Sequence, residues 1–177
     1  MTDALWYLAR GTGVVSLVLL TVVVALGVAT RSGRPAFGLP RFAVGAVHRN
    51  AGLLAVLLLA IHVTTLLADP YAQLKLVDVV VPFAGAYRPV WLGFGTLAAD
   101  LILALVATSL LRHRLGLRTW RAVHWTAYAA WPFAVLHAIG NGTDAGQLWL
   151  RGTAATCVAA VLAALAWRAS MSTVESP

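Results

Sequence analysis

The sequence predicts an all-α integral membrane protein: a five-helix transmembrane bundle, N-terminus out and C-terminus in. Composition is the first ground. Of 177 residues, 60% are hydrophobic and 11% charged, and the mean hydropathy is +0.83, far from the profile of a water-soluble domain. Length is the second. Five apolar runs, at about 7–30, 42–68, 91–111, 120–140 and 147–168, are each long enough to cross a hydrocarbon layer roughly 30 Å thick. The third is the way charge alternates between the connections.

Taking the runs in order, MTDALWYLAR has no basic stretch leading into its hydrophobic segment and no small-residue cleavage site after it, so it reads as a retained first helix. The connection to the second run carries Arg31, Arg34 and Arg41, with Arg49 just inside that run. The connection between the third and fourth carries Arg112, Arg114 and Arg118, with Arg121 at the start of the fourth. Basic connections stay on the cytoplasmic side. The alternate connections, DPYAQLKLVDVVVPFAGAYRP and NGTDAG, hold only Lys75 and Arg88 against Asp69, Asp78 and Asp144, and are expected outside. Trp6, Tyr7, Trp91 and Trp149 fall near the expected outer ends and Trp120, Trp125 and Trp167 near the inner ones, as interfacial aromatic belts do. Within the longer outer connection, LVDVVVPF is too short to span, and Pro82 opposes a regular helix there. That segment is expected to lie in the interface or fold back over the bundle. Residues 1–170 form a single transmembrane domain and 171–177 a polar tail.

Several classes of function are excluded. The net charge of +7 is spread over short loops between apolar runs, where it orients helices and makes no nucleic-acid-binding patch. Cys157 is the lone cysteine and lies in an apolar run, so an intrachain disulfide or a thiolate metal site is ruled out. No long hydrophilic segment offers a FAD or NAD(P)H site in this chain.

The histidines carry the chemistry. In RFAVGAVHRNAGLLAVLLLAIHVTTLLA, His48 and His62 are fourteen positions apart, and in WRAVHWTAYAAWPFAVLHAIG, His124 and His137 are thirteen apart. At about 1.5 Å per residue, fourteen positions span roughly 21 Å, placing the two imidazoles of one helix at opposite depths of a bilayer. Ionisable groups within membranes are costly and turn inward. Both helices begin on the cytoplasmic side, so His48 matches His124 at the inner depth and His62 matches His137 at the outer. One imidazole from each helix at each depth is the axial ligand set of a six-coordinate haem, suited to electron transfer because no coordination site stays open. Two b-type haems stacked across the membrane are therefore expected. No Cys, Asp or Glu stands beside either pair to complete a zinc site. At about 100° per residue, fourteen positions fall some 40° short of four turns and thirteen about 140° short. The fourth helix cannot be ideal if both its histidines face the second, and Pro132 is the expected place for the winding to change.

With these spacings, and with the basic residue of His48-Arg49, the chain resembles the ferric reductase-like transmembrane domain superfamily, which includes ferric reductases and NADPH oxidases, over approximately residues 5 to 168. The resemblance implies that His48 and His124 ligate an inner haem and His62 and His137 an outer one. It also implies an arginine near the outer haem on the first helix, matched by Arg10 in LWYLARGTG, for a haem propionate or an anionic acceptor. Arg49, Arg121 and Arg41 are placed to meet inner-haem propionates. The chain departs from the family at Leu66, where oxidases carry a further histidine, which argues against purposeful superoxide formation. An aromatic usually bridges the haems; Trp131 lies midway between His124 and His137, while the family register falls nearer Ala130. Full-length members continue into a cytoplasmic flavin and nicotinamide domain after the last helix, whereas this chain stops at Pro177. The expected electron donor is therefore a separate flavoprotein or a quinol, and the outer acceptor a ferric chelate, oxygen or a redox protein.

Asp100, about ten positions into the third run, is expected to face the bundle as a structural acid, a proton relay or a partner to a histidine ring nitrogen. His113 reads as solvated, and Asn141, Thr143 and Asp144 as a turn or the rim of an acceptor mouth. The reading reached is a di-haem b-type cytochrome of the plasma membrane passing electrons from a cytoplasmic-side donor to an outer acceptor. A quinol-linked cytochrome b subunit is the alternative within redox chemistry; its second histidine spacing is usually fourteen or more. A non-redox ion transporter or structural partner subunit is the alternative outside it.

Overall fold

The computed structural model describes residues 3–30, 38, 40–141 and 143–173. Arg31 and Arg34, and the last residues of the polar tail, lie outside the described residues. All regular structure among the described residues is helical: α1 (Asp3–Thr30), α2 (Arg41–Ala68), α3 (Leu76–Val80), α4 (Pro89–Leu110), α5 (Arg112–His124), α6 (Ala127–Gly140) and α7 (Leu148–Thr173). Four of them, α1, α2, α4 and α7, are long and apolar enough to cross a membrane, while α6 is a shorter apolar helix.

Burial is inverted relative to a water-soluble protein. Small residues fill the interior, among them Ala9, Ala29, Ala55, Ala98, Ala130 and Ala154, whereas Leu53, Leu57, Leu103 and Leu162 are each more than half exposed. Between membrane helices association comes from close van der Waals approach, which alanines permit, and leucines face hydrocarbon at no cost. Three buried hydroxyls of α1 are satisfied locally or across one contact. Thr12 donates to the Leu8 carbonyl at 2.6 Å, Thr21 to the Leu17 carbonyl at 2.9 Å, and Ser16 to the Ala55 carbonyl of α2 at 3.0 Å. Buried hydroxyls left unpaired would each cost about 1–3 kcal/mol.

The α2 helix ends where the Asp69 carboxylate accepts the Tyr71 N–H at 3.0 Å and Pro70 cannot continue the helix. The long connection that follows folds back over α4. Its short helix α3 starts where the Asp78 carboxylate accepts the Lys75 N–H at 2.9 Å, and Thr96 of α4 donates to the Asp78 carbonyl at 2.6 Å. Phe83 lies against Gly93 and meets Phe94 edge-on at 5.8 Å between ring centres. Pro89 opens α4 at a position where its missing N–H has no helical partner to lose.

The basic segment after α4 turns at Gly116, whose φ of +77° divides α5 into two short pieces. A residue with a Cβ would meet a steric penalty there. The expected fourth helix is not continuous. It breaks at Trp125–Thr126, between α5 and α6, rather than at Pro132. Three backbone bonds around the break reach back only three residues: Thr126 to Val123 at 2.9 Å, Tyr128 to Trp125 at 3.2 Å, and Ala129 to Thr126 at 2.9 Å. Such turns advance about 120° per residue rather than about 100°. Overwinding of this kind reduces the angular shortfall between His124 and His137. Pro132 sits within α6, its ring in the helix interior.

Helix α1 is the hub, packing along α2 and against α6 and α7, while α4 packs along α6. No comparable packing joins α2 to α6. The two histidine-bearing elements therefore stand apart, each held by its own neighbour, with their imidazoles pointing into the space between.

Candidate functional site

The four histidines meet in two pairs. His48 faces His124 with ring centres 6.4 Å apart and planes at 60°, and His62 faces His137 at 6.4 Å with planes at 80°. Two imidazoles on opposite sides of one metal ion, with metal–nitrogen distances of about 2 Å, take a separation close to this.

Three of the rings are oriented by backbone. The Nδ1 of His62 lies 2.7 Å from the Ala9 carbonyl, that of His48 2.9 Å from the Val23 carbonyl, and that of His137 2.9 Å from the Trp91 carbonyl. A carbonyl only accepts, so each Nδ1 carries the proton and donates it. Each Nε2 is then left with a free lone pair, the state a metal ligand needs. The fourth ring differs: His124 Nδ1 is buried with no hydrogen-bond partner, and the ring stacks on Trp120 at 4.9 Å with planes 27° apart.

The residues that receive these rings were not foreseen from the sequence. Gly13 and Gly27 of α1 lie beneath His62 and His48, and Gly95 of α4 lies beneath His137. A signal was available: Gly13 and Gly27 are fourteen positions apart, as are His48 and His62, and antiparallel helices bring the two pairs into register.

Around the second pair is a cavity with about 1350 Å³ of atom-free space including its open mouth, walled by Leu17, Leu20, Leu59 and Ala134. Arg10 stands at the mouth, its guanidinium 4.7 Å from the ring centres of both Trp6 and Trp149 and ion-paired to Asp144. Asn141 and Thr143 also line the cavity, and the Asn141 Oδ1 is buried without a partner. At the first pair, Arg49 and Arg121 are exposed beside His48 and one turn before His124, and Arg41 and His113 are exposed as well.

A family model described as ferric reductase-like transmembrane component matches residues 12–135. The chain belongs to this family. The match takes in His48, His62 and His124 and ends two residues before His137. Searches of curated proteins and of solved structures return no match. With four helices able to span and a membrane redox domain of this type, the protein is a multi-pass membrane redox component.

The structure gives the directions of two side chains whose roles the sequence leaves open. Trp131 Nε1 donates to Thr21 Oγ1 at 2.9 Å, and its ring packs on the cluster of Leu17, Val135, Ala154 and Cys157 toward α1 and α7. It is Ala130 that shares the His137 side of α6, seven residues being close to two turns. Asp100 does not turn toward the histidines. It is half-buried and about 140° round α4 from Gly95, while the Nδ1 atoms of His48, His62 and His137 donate to backbone carbonyls.

Proposed function

We propose that this ferric reductase-like chain is a di-haem b-type cytochrome that carries electrons across the membrane. His48 and His124 hold one haem and His62 and His137 the other. The observation that carries the reading is the two facing pairs at 6.4 Å, borne on helices that do not pack on each other. The apolar cavity around His62 and His137 also fits a large, mostly apolar group. Each haem would supply a one-electron Fe(III)/Fe(II) couple. The protein's part is to fix four imidazoles at two depths, exclude water from the space between them, and place charge at the two ends.

Five spans with the N-terminus outside go with this reading. The run from Leu117 through Gly140 is about 36 Å long at 1.5 Å per residue, sufficient to cross as one bent element. Arg49, Arg112, Arg114, Arg118 and Arg121 then lie on the cytoplasmic side, near the His48–His124 level. Electrons pass from a flavoprotein or quinol on that side, through residues 1–170 as one haem-binding domain, to an outer acceptor near Arg10. A ferric chelate, oxygen or a redox protein would each fit that role. The plasma membrane is the proposed location.

The test is the pyridine haemochromogen assay on purified full-length chain. Two b-type haems per chain, reducible by dithionite, are expected; a preparation without a b-type spectrum would falsify the reading.

A further inference from the structure

Three imidazoles in this protein are anchored by the same local device. A helical side chain at position i leans over the turn before it and covers the carbonyl of residue i−4. The carbonyls used by His62, His48 and His137 belong to Ala9, Val23 and Trp91. In each case the residue four positions later is a glycine: Gly13, Gly27 and Gly95. Where any other residue would shield the carbonyl, an imidazole from the neighbouring helix reaches it.

The fit is tight at two of the three positions. A Cβ on Gly13 would lie 2.8 Å from both Cε1 and Nδ1 of His62, and one on Gly95 would lie 2.7 Å from Cε1 of His137 and 2.8 Å from its Cγ. On Gly27 the nearest atom would be His48 Cε1 at 3.4 Å, an ordinary contact. Other helical glycines, Gly11, Gly45 and Gly152, have nothing within 4 Å of that position. Gly93 under Phe83 and Gly140 under Trp91 are approached as closely; what sets Gly13, Gly27 and Gly95 apart is that the ring above each is an imidazole bonded to the carbonyl four residues earlier.

We propose that Gly13 and Gly95 are positioning residues for His62 and His137. By uncovering the Ala9 and Trp91 carbonyls they fix each Nδ1–H as a donor, leave Nε2 free for iron, and hold the two ring planes 80° apart. This inference rests on the di-haem reading above. Gly27 repeats the arrangement for His48 with more room. His124 has no such seat, its Nδ1 being without a partner. Hydrogen bonds from the far nitrogen of a ligating imidazole raise its basicity and set its orientation, and their loss typically weakens metal binding about 10–100-fold. Crossed axial imidazoles also give a ferric low-spin haem a strongly anisotropic EPR signal, which relaxes toward a rhombic one as the planes turn parallel.

The test uses the full-length chain in lipid nanodiscs, as wild type and as Gly13→Ala, Gly95→Ala, Gly27→Ala and Gly11→Ala, with haem content, redox titration and ferric EPR measured on each. Gly13→Ala and Gly95→Ala should retain the haem at the His62–His137 level about 10–100-fold less well. Whatever haem remains there should show a shifted potential and reduced EPR anisotropy, with the other level intact. Gly27→Ala should give a smaller loss confined to the His48–His124 level, and Gly11→Ala should match wild type. Three results overturn the proposal alone: Gly13→Ala and Gly95→Ala chains with two haems and unchanged potentials and EPR; loss of both haems together in these variants while Gly11→Ala keeps them; or a loss in Gly27→Ala as large as in Gly95→Ala. A wild-type chain without haem overturns the di-haem reading and this inference with it.

Discussion

At the His62–His137 level both imidazoles donate to backbone carbonyls, both rest on glycines, and the space between them opens into an apolar cavity lined in part by the Arg10–Asp144 pair. At the His48–His124 level one ring has a carbonyl and a glycine, while the other has an aromatic stack and an unsatisfied nitrogen. The imidazole spacing is nevertheless the same, 6.4 Å at both. Equal spacing with unequal support separates two requirements. On the di-haem reading, holding one metal between two rings would set the distance, and the surrounding backbone would set how firmly tautomer and ring plane are specified. Where two helices present carbonyls through glycines, the ligands are pre-organised. Where the ring is carried beside a helix break, as His124 is beside Trp125–Thr126, orientation depends on a side-chain stack instead.

The comparison is broken most directly by removing one ligand from each level. His137→Ala and His124→Ala should each leave one haem per chain, and the remaining haem should be the one at the other level, since each pair spans its own space. Redox titration separates the two cases by the potential of the survivor. Loss of both haems from either variant would mean that the levels do not bind independently.

Charge near the two levels gives the next largest effect. Arg10 and Asp144 form an ion pair at the cavity mouth, with side chains 29% and 15% exposed, so solvent screens the pair only in part. Arg10→Gln leaves the Asp144 carboxylate unopposed and should stabilise the ferric form, lowering the potential at the His62–His137 level. Asp144→Asn should raise it. A unit charge roughly 10 Å away at an effective dielectric of about 20 contributes about 1.7 kcal/mol, or about 70 mV for one electron. Spectroelectrochemistry should find shifts of opposite sign in the two variants and almost none at the other level. Shifts of the same sign would show that the variants act through structure rather than charge.

How much of this was legible in the sequence follows from the range of each signal. The facing of the histidines was legible because two pairs at matched depths leave a spacing in the chain, fourteen and thirteen. The same spacings point to the family, and apolar runs near 20 residues reveal the spans. The break at Trp125–Thr126 was not legible, because both residues keep right-handed helical dihedrals and no glycine or proline marks them; Pro132 drew the expectation instead. The direction of Trp131 was set by a hydrogen bond to Thr21, 110 positions away, and the partner of Arg10 by a contact with residue 144. Neither leaves any local pattern. The glycine seats lie between these cases: their fourteen-residue interval is visible in α1, and it acquires meaning only once α1 and α2 are known to run antiparallel.

The smallest effect tests the weaker side of the comparison. Trp120 stacks on His124 and is itself held by a bond from its Nε1 to Ser109 Oγ at 3.3 Å, so the ring that lacks a carbonyl is oriented through a tryptophan anchored on α4. Aromatic stacking of this kind is worth about 0.5–1.5 kcal/mol beyond area burial. Trp120→Ala should therefore weaken haem retention at the His48–His124 level by about 2–10-fold, measured by transfer to an excess of haem-free acceptor protein, and leave the other level at its wild-type rate. Trp120→Phe keeps an aromatic face without the bond to Ser109 and should recover part of the loss. If Trp120→Ala accelerated loss from both levels equally, the tryptophan would be supporting the bundle as a whole, and the stack could not be the substitute for the missing backbone anchor. If neither level changed, His124 would be held by coordination and its own helix alone. The contrast between the levels would then lie in enclosure and charge rather than in how the rings are oriented.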